Sequence, residues 1–210
     1  AANNKLVENY LTYETTINDD HRFNFLAGHA YQFIKFSTTE MNVNGFEVDD
    51  IKYTDNLQYG NFSSAIVNSS AYERELQSFF GRINYSYKDK YLLTFTGRMD
   101  GSSKFGENKK YGFFPSAAFA WRVSEEDFMQ SMESLSNLKF RLGWGMTGNQ
   151  EIPDKISLLA VGTTPSANGY FNGALTPGIT FLRTPNPDIQ WETTLQTNIG
   201  IDFGFFDNRL

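Results

Sequence analysis

Apolar and polar residues alternate along most of the chain with a period of two, the spacing of a strand rather than of a helix. The alternating stretches predict strands at 6–17, 21–41, 73–87, 90–100, 112–124, 138–148 and 190–205. They are rich in Tyr, Phe, Thr, Ile and Val and are bounded by Asn, Asp and Gly. From the third strand on, one parity collects Phe79, Ile83, Tyr85, Leu93, Phe95, Phe113, Phe119, Phe140, Leu142, Trp144, Leu195, Ile199, Ile201 and Phe203. The other carries Arg82, Asn84, Arg98, Asp100, Arg122, Lys139, Arg141, Glu192, Gln196, Asn198 and Asp202. One face is greasy and the other wet.

A water-soluble β-sandwich alternates too, so strand length has to separate the two readings. Several stretches run well past the ~5–6 residues usual in soluble strands. About ten residues at ~3.3 Å each, tilted ~45°, cross the hydrocarbon of a bilayer. Short connections at 18–20, 88–89 and 206–208 alternate with long ones at 42–72 and 149–189, and 101–111 and 125–137 keep that order. One end of the sheet is therefore trimmed and the other decorated. The expectation is an all-β, antiparallel, up-and-down transmembrane β-barrel segment of about seven strands. Residues 1–210 would form part of a larger barrel, with outer loops at 42–72 and 149–189. Tyr87, Tyr91, Trp121 and Trp191, near strand ends, fit an interfacial girdle. The alternative is a secreted or surface β-sandwich that binds carbohydrate, in which the same aromatics are core.

A single helical signal lies in 125–137, where Ser124 and Asp127 read as a capping box ahead of Phe128, Met132 and Leu135. Composition then narrows the classes. The 210 residues hold 18 Lys+Arg against 24 Asp+Glu, a net charge of −6 with a pI near 5.0, which argues against a nucleic-acid binder. With 40% hydrophobic and 16% aromatic residues but a mean hydropathy of −0.44, the chain is neither a helical membrane protein nor a disordered tail. The absence of cysteine removes disulfides, thiol catalysis and Cys-ligated zinc together. Both ends read as those of a slice of a longer protein.

Candidate chemistry is sparse. Gly143-Trp144-Gly145-Met146-Thr147-Gly148 matches G-x-G-x-x-G, but no helix follows to hold a pyrophosphate. Trp144 and Met146 simply continue the apolar parity. His21 and His29 stand about 26 Å apart along one strand at ~3.3 Å per residue, too far to share an ion; no metal site or cofactor is expected. Asp49, Asp50 and Asp55 could gather calcium in the first long loop, although a solvated acidic loop accounts for them as well. Asn61, Asn68 and Asn84 head glycosylation-like triplets that an Asn- and Ser-rich chain produces by chance. Glu192 and Asp202 are about 33 Å apart on one strand at ~3.3 Å per residue, so they do not form a glycosidase pair. Tyr53, Tyr59, Tyr170 and Phe171 lie in the long loops, where exposed rings can stack on a ligand or pack on one another. Arg82, Arg98, Arg122 and Arg141 would line a lumen, paired with Glu192, Asp202 and the acidic residues of whatever fills it. No catalytic constellation emerges.

Several segments resemble one family. They are Glu75-Leu76-Gln77-Ser78-Phe79-Phe80-Gly81-Arg82-Ile83-Asn84-Tyr85-Ser86-Tyr87-Lys88-Asp89-Lys90-Tyr91, Arg98-Met99-Asp100-Gly101-Ser102-Ser103-Lys104-Phe105-Gly106 and Phe113-Phe114-Pro115-Ser116. Leu138-Lys139-Phe140-Arg141, Gly145-Met146-Thr147-Gly148-Asn149, Asn186-Pro187-Asp188-Ile189-Gln190-Trp191-Glu192 and Asn198-Ile199-Gly200-Ile201-Asp202-Phe203-Gly204 join them in consistent order. The set resembles SusC/RagA-type TonB-dependent outer-membrane transporters of Bacteroidetes, and residues 1–74 share the likeness more loosely, through Phe25-Leu26-Ala27-Gly28-His29. The resemblance implies a non-catalytic importer of oligosaccharides or peptides in the bacterial outer membrane, with a barrel of about 22 strands. It also implies contact with outer-membrane lipid, a SusD-like surface lipoprotein as partner, and a plug and TonB-contacting segment that lie elsewhere.

Overall fold

The computed structural model describes residues 1–47, 52, 55–129, 131, 132 and 134–206. The alternating stretches form strands, and most run longer than the pattern predicts. These are β1 (Ala2–Ile17), β2 (His21–Asn44), β3 (Asn61–Tyr87), β4 (Tyr91–Ser102), β5 (Tyr111–Arg122) and β6 (Leu135–Asn149). Four short strands follow, β7 (Ala160–Thr163), β8 (Gly169–Phe171), β9 (Ala174–Thr176) and β10 (Ile179–Arg183), and then β11 (Glu192–Phe205). Seven strands form one sheet in the order β1-β2-β3-β4-β5-β6-β11. Tight hairpins come from Asn18-Asp19 and Lys88-Asp89, all four at positive φ, the left-handed pair that matches the twist of the flanking strands.

The residues divide into two compact units, Ala1–Lys5 with Phe33–Arg74, and Leu6–Gln32 with Glu75–Leu210. In the first, the outer parts of β2 and β3 form a thin, largely exposed ribbon. The Ala1 ammonium donates to the Ser37 carbonyl, Lys35 pairs with Glu73, and Phe36 stacks on Tyr72 with ring centroids 5.1 Å apart. The second unit holds the rest of the sheet and the buried residues.

Three expectations change. The transmembrane-barrel segment is corrected to an open, all-antiparallel sheet: β1 and β11 each have a neighbour on one side alone, and no pairing joins them. Alternation and strand length specify a two-sided sheet, whereas closure depends on strand number and shear, which no single strand encodes. The helix expected in 125–137 is replaced by two 3₁₀ turns, Val123–Glu125 and Asp127–Met129, because Glu126 between them is extended at φ −78° and ψ 145°. The long connections are also not bare. Backbone pairing carries β2 to Asn44 and starts β3 at Asn61, while 149–189 contains two small sheets, β7 with β10 and β8 with β9.

Candidate functional site

The register places the apolar parity in cross-strand rows. Tyr87, Tyr91, Trp121, Phe140 and Ile201 form one; Tyr85, Leu93, Phe119, Leu142 and Ile199 the next; Ile83, Phe95, Ala117, Trp144 and Thr197 a third. These residues have no cover. Ile83, Phe95, Phe140, Leu142, Trp144, Leu195, Ile201 and Phe203 are all exposed, and Ile199 is 77% exposed. The β-sandwich alternative requires a second layer over this face, and exposure of this extent shows that the described residues provide none.

Each end of the apolar face carries rings with polar tips. Towards the short hairpins, His21, Tyr87, Tyr91 and Trp121 stack in series at 4.8, 6.2 and 6.1 Å. The Glu126 carboxylate accepts from Tyr91 Oη at 2.6 Å, Trp121 Nε1 at 3.1 Å and Lys90 Nζ at 3.2 Å. The Tyr91 bond, then the Trp121 bond, hold the Glu126 carboxyl below the usual carboxylate range, and the Glu126 bond raises Lys90. At the other end, Tyr111 Oη donates to Gln77 Oε1 at 2.8 Å, and Gln77 Nε2 lies 3.2 Å from His29 Nε2.

The polar parity holds the compact core. Phe105, Phe114 and Trp191 are buried together, with Leu76, Met146, Ile152 and Ile189 against them. Trp191 meets Phe105 at 4.6 Å and Phe114 edge-on at 5.3 Å, and its indole donates to the Lys110 carbonyl at 3.0 Å. Gly112 and Gly148 make room, since a Cβ at either would lie within 2.5 Å of the Phe114 ring. The loop after β4 is tied to the segment before β11 by Gly106 N–H to the Ile189 carbonyl and by the Asn108 amide to Asp188. Trp191 is thus a core residue and not part of the girdle; Tyr87, Tyr91 and Trp121 are the ones that stack. Beside this core, Ser78 is 2% and Asp100 8% exposed.

The wet-face arginines are mostly neutralised. Arg98 Nε pairs with Asp100 at 2.7 Å while its Nη2 donates to Ser78 at 2.9 Å. Arg122 pairs with Glu125 at 3.0 Å, and Arg141 with Asp202 at 2.6 Å. Glu192 accepts from the Asn149 amide rather than from an arginine. Arg82 makes no ion pair or hydrogen bond among the described residues. Between Thr94, Thr96, Arg98, Asp100, Ser116, Gly143, Gly145, Thr147, Gln196 and Asn198 lies a groove of about 530 Å³.

The loop aromatics do not gather. Tyr59 is exposed on a 3₁₀ turn in the first unit. Tyr170 and Phe171, 80% and 75% exposed, lie on the β8–β9 hairpin of the second, where Asn172-Gly173 turns at positive φ. Tyr53, Asp49 and Asp50 lie outside the described residues. Among the described residues no group of His, Asp and Glu is placed to hold a metal ion. The sequence reading missed Phe105, Phe114 and Glu126. A phenylalanine on the wet parity between two glycines was the available signal for Phe114.

An uncovered apolar face, a polar face with its own core and decorated loops define a class in which sequence comparison is decisive. The family described as TonB dependent receptor-like, beta-barrel, matches residues 2–210, and the chain belongs to it. This is a family of outer-membrane transporters, not of enzymes. TonB-dependent receptor P26 of Formosa agariphila is 39% identical over 204 residues, covering 97% of this chain and 20% of that protein. TonB-dependent receptor SusC of Bacteroides thetaiotaomicron is 41% identical over 140 residues, covering 64% of this chain and 14% of that one. The RagAB peptide transporter structure superposes with a TM-score of 0.84 at 28% identity, over 99% of this chain and 22% of that one. The chain thus spans about a fifth of the length of these relatives.

Proposed function

We propose that these residues are the sheet portion of a TonB-dependent importer in the bacterial outer membrane, with the apolar face against lipid and the polar face along the route of an oligosaccharide or peptide. The bare apolar face carries this reading, because large side chains exposed in register across five strands would be untenable in water. Its dimensions agree with the location. Gln77 and Tyr87, in the two polar-tipped bands, are ten residues apart on β3, about 33 Å along the strand and roughly 25 Å along the normal at the usual tilt, close to the apolar band of outer-membrane proteins. The free edges of β1 and β11 would pair with further strands of the longer protein, since unpaired backbone is costly in hydrocarbon.

The named relatives SusC and RagAB support a SusD-like surface lipoprotein as partner and an energy supply from TonB through another part of the protein. Outer loops, including the β8–β9 hairpin with Tyr170 and Phe171, would help to capture cargo. Full-length protein expressed with and without TonB tests the reading. Recovery from the membrane only with detergent, together with cargo uptake that stops when TonB is deleted, is the expected result. A detergent-free soluble monomer would overturn it.

A further inference from the structure

We infer that the groove on the polar face is a subsite for an uncharged, polyhydroxylated ligand segment, a sugar ring of a neutral oligosaccharide. This deepens the importer reading and rests on it. Four strands contribute, β4, β5, β6 and β11, and the register brings Thr96, Ser116, Gly145 and Gln196 into one cross-strand row. The side chains of Thr96, Ser116, Thr147, Gln196 and Asn198 make no hydrogen bond to any described residue, so hydroxyl and amide donors and acceptors stand open toward the groove. Sugar hydroxyls both donate and accept, and such mixed groups match them.

Charge points the same way. The groove's one cation and one anion, Arg98 and Asp100, are bonded to each other through both carboxylate oxygens, at 2.8 and 2.7 Å. Neither is left to attract an ionic ligand. Gly143 and Gly145 keep the floor low: a Cβ at Gly145 would come within 3.0 Å of Ser116 Cβ. The volume of about 530 Å³ is of the size that holds small ligands. A peptide would have to place charged termini or side chains beside an ion pair that is already satisfied.

The test uses the full-length receptor with its partner. Titration is made with neutral hexasaccharides of glucose, mannose and xylose, with an anionic galacturonate hexamer, and with a zwitterionic hexapeptide. At least one neutral sugar binds, and the double variant Gln196→Ala/Asn198→Ala weakens it about tenfold or more, as expected for two lost polar contacts. Ser86→Ala, on the same face outside the groove, leaves the affinity unchanged. Failure of all three neutral sugars, preference for the anionic sugar or the peptide, or an unchanged affinity in the double variant overturns the subsite. TonB-dependent uptake of a peptide would sink the subsite and leave the importer standing, whereas uptake that ignores TonB would sink the importer.

Discussion

The two faces of one sheet are built from the same strands, yet hydropathy and burial run in opposite directions on them. On the face carrying Phe95, Leu142 and Ile199, large apolar side chains are exposed, while on the other Ser78 and Asp100 are buried beside Phe114. A protein that folds in water would exchange these assignments, because exposed apolar area costs about 25 cal/mol per Å². The inversion is consistent once the apolar face has hydrocarbon as its solvent. The polar face then needs its own means of fixing the loops, and the Phe105–Phe114–Trp191 cluster supplies it. Solvent, not strand chemistry, decides which residues need a partner.

The sharpest way to break the comparison is to attack the core on the polar face. Trp191→Ala removes the ring shared by Phe105 and Phe114 and leaves the Lys110 carbonyl without its donor. The expected loss is ~3–5 kcal/mol, as for other buried aromatic truncations. Denaturant titration of the full-length protein in detergent measures it, and a loss below about 1 kcal/mol would mean that the cluster does not fasten the loops.

Next in size is a charge on the apolar face. Leu142 sits in the row beside Ile83 and Phe95, close to the middle between the two polar-tipped bands. Leu142→Arg is expected to cost ~2–4 kcal/mol of assembly in lipid, with Thr147→Arg on the polar parity much milder. Folding titrations into vesicles compare the two directly. Equal penalties would erase the distinction between the faces.

A smaller effect belongs to Glu126. Its carboxyl is held below the usual range by Tyr91, Trp121 and Lys90, so the stabilisation is present above the unfolded carboxylate pKa and fades as pH falls through the depressed folded value. Lys90 is raised, and its part is lost only as pH rises through that raised value, above the ordinary lysine range. The difference in melting temperature between wild type and Glu126→Gln should therefore be full at neutral pH and vanish in acid. A difference that persists at acid pH would assign the effect to shape rather than charge.

How far the residues announced all this differs from feature to feature. Period-two alternation is written directly in side chains, so the strands and both faces were legible from Phe79 to Phe203. Strand ends were less so. Residues 61–72 are polar and Ser-rich, and pairing of the backbone with β2 holds them extended, where composition reads as loop. The expected helix failed at Glu126, whose carboxylate bonds to Tyr91, Trp121 and Lys90 while its own backbone is extended. The core escaped because Phe105 and Trp191 lie outside the strands, 86 positions apart by numbering (191 − 105), and only the fold brings them together. The wet-face arginines were legible as a set, but partners such as Asp100 for Arg98 and Glu125 for Arg122 depend on local side-chain geometry.

The smallest expected effect is the most informative about what covers the polar face. Arg141 and Asp202 pair at 2.6 Å with side chains 54% and 39% exposed, so a double-mutant cycle with Arg141→Ala and Asp202→Ala should give a coupling of ~0–1 kcal/mol that shrinks with added salt. That range holds if water reaches the pair in the intact receptor. A coupling of about 3 kcal/mol or more, insensitive to salt, would mean that other parts of the protein dehydrate this stretch. The polar face would then be an internal contact surface around Arg141 and Asp202 rather than a passage. The cycle thus measures how much of the sheet's wet side is left to cargo.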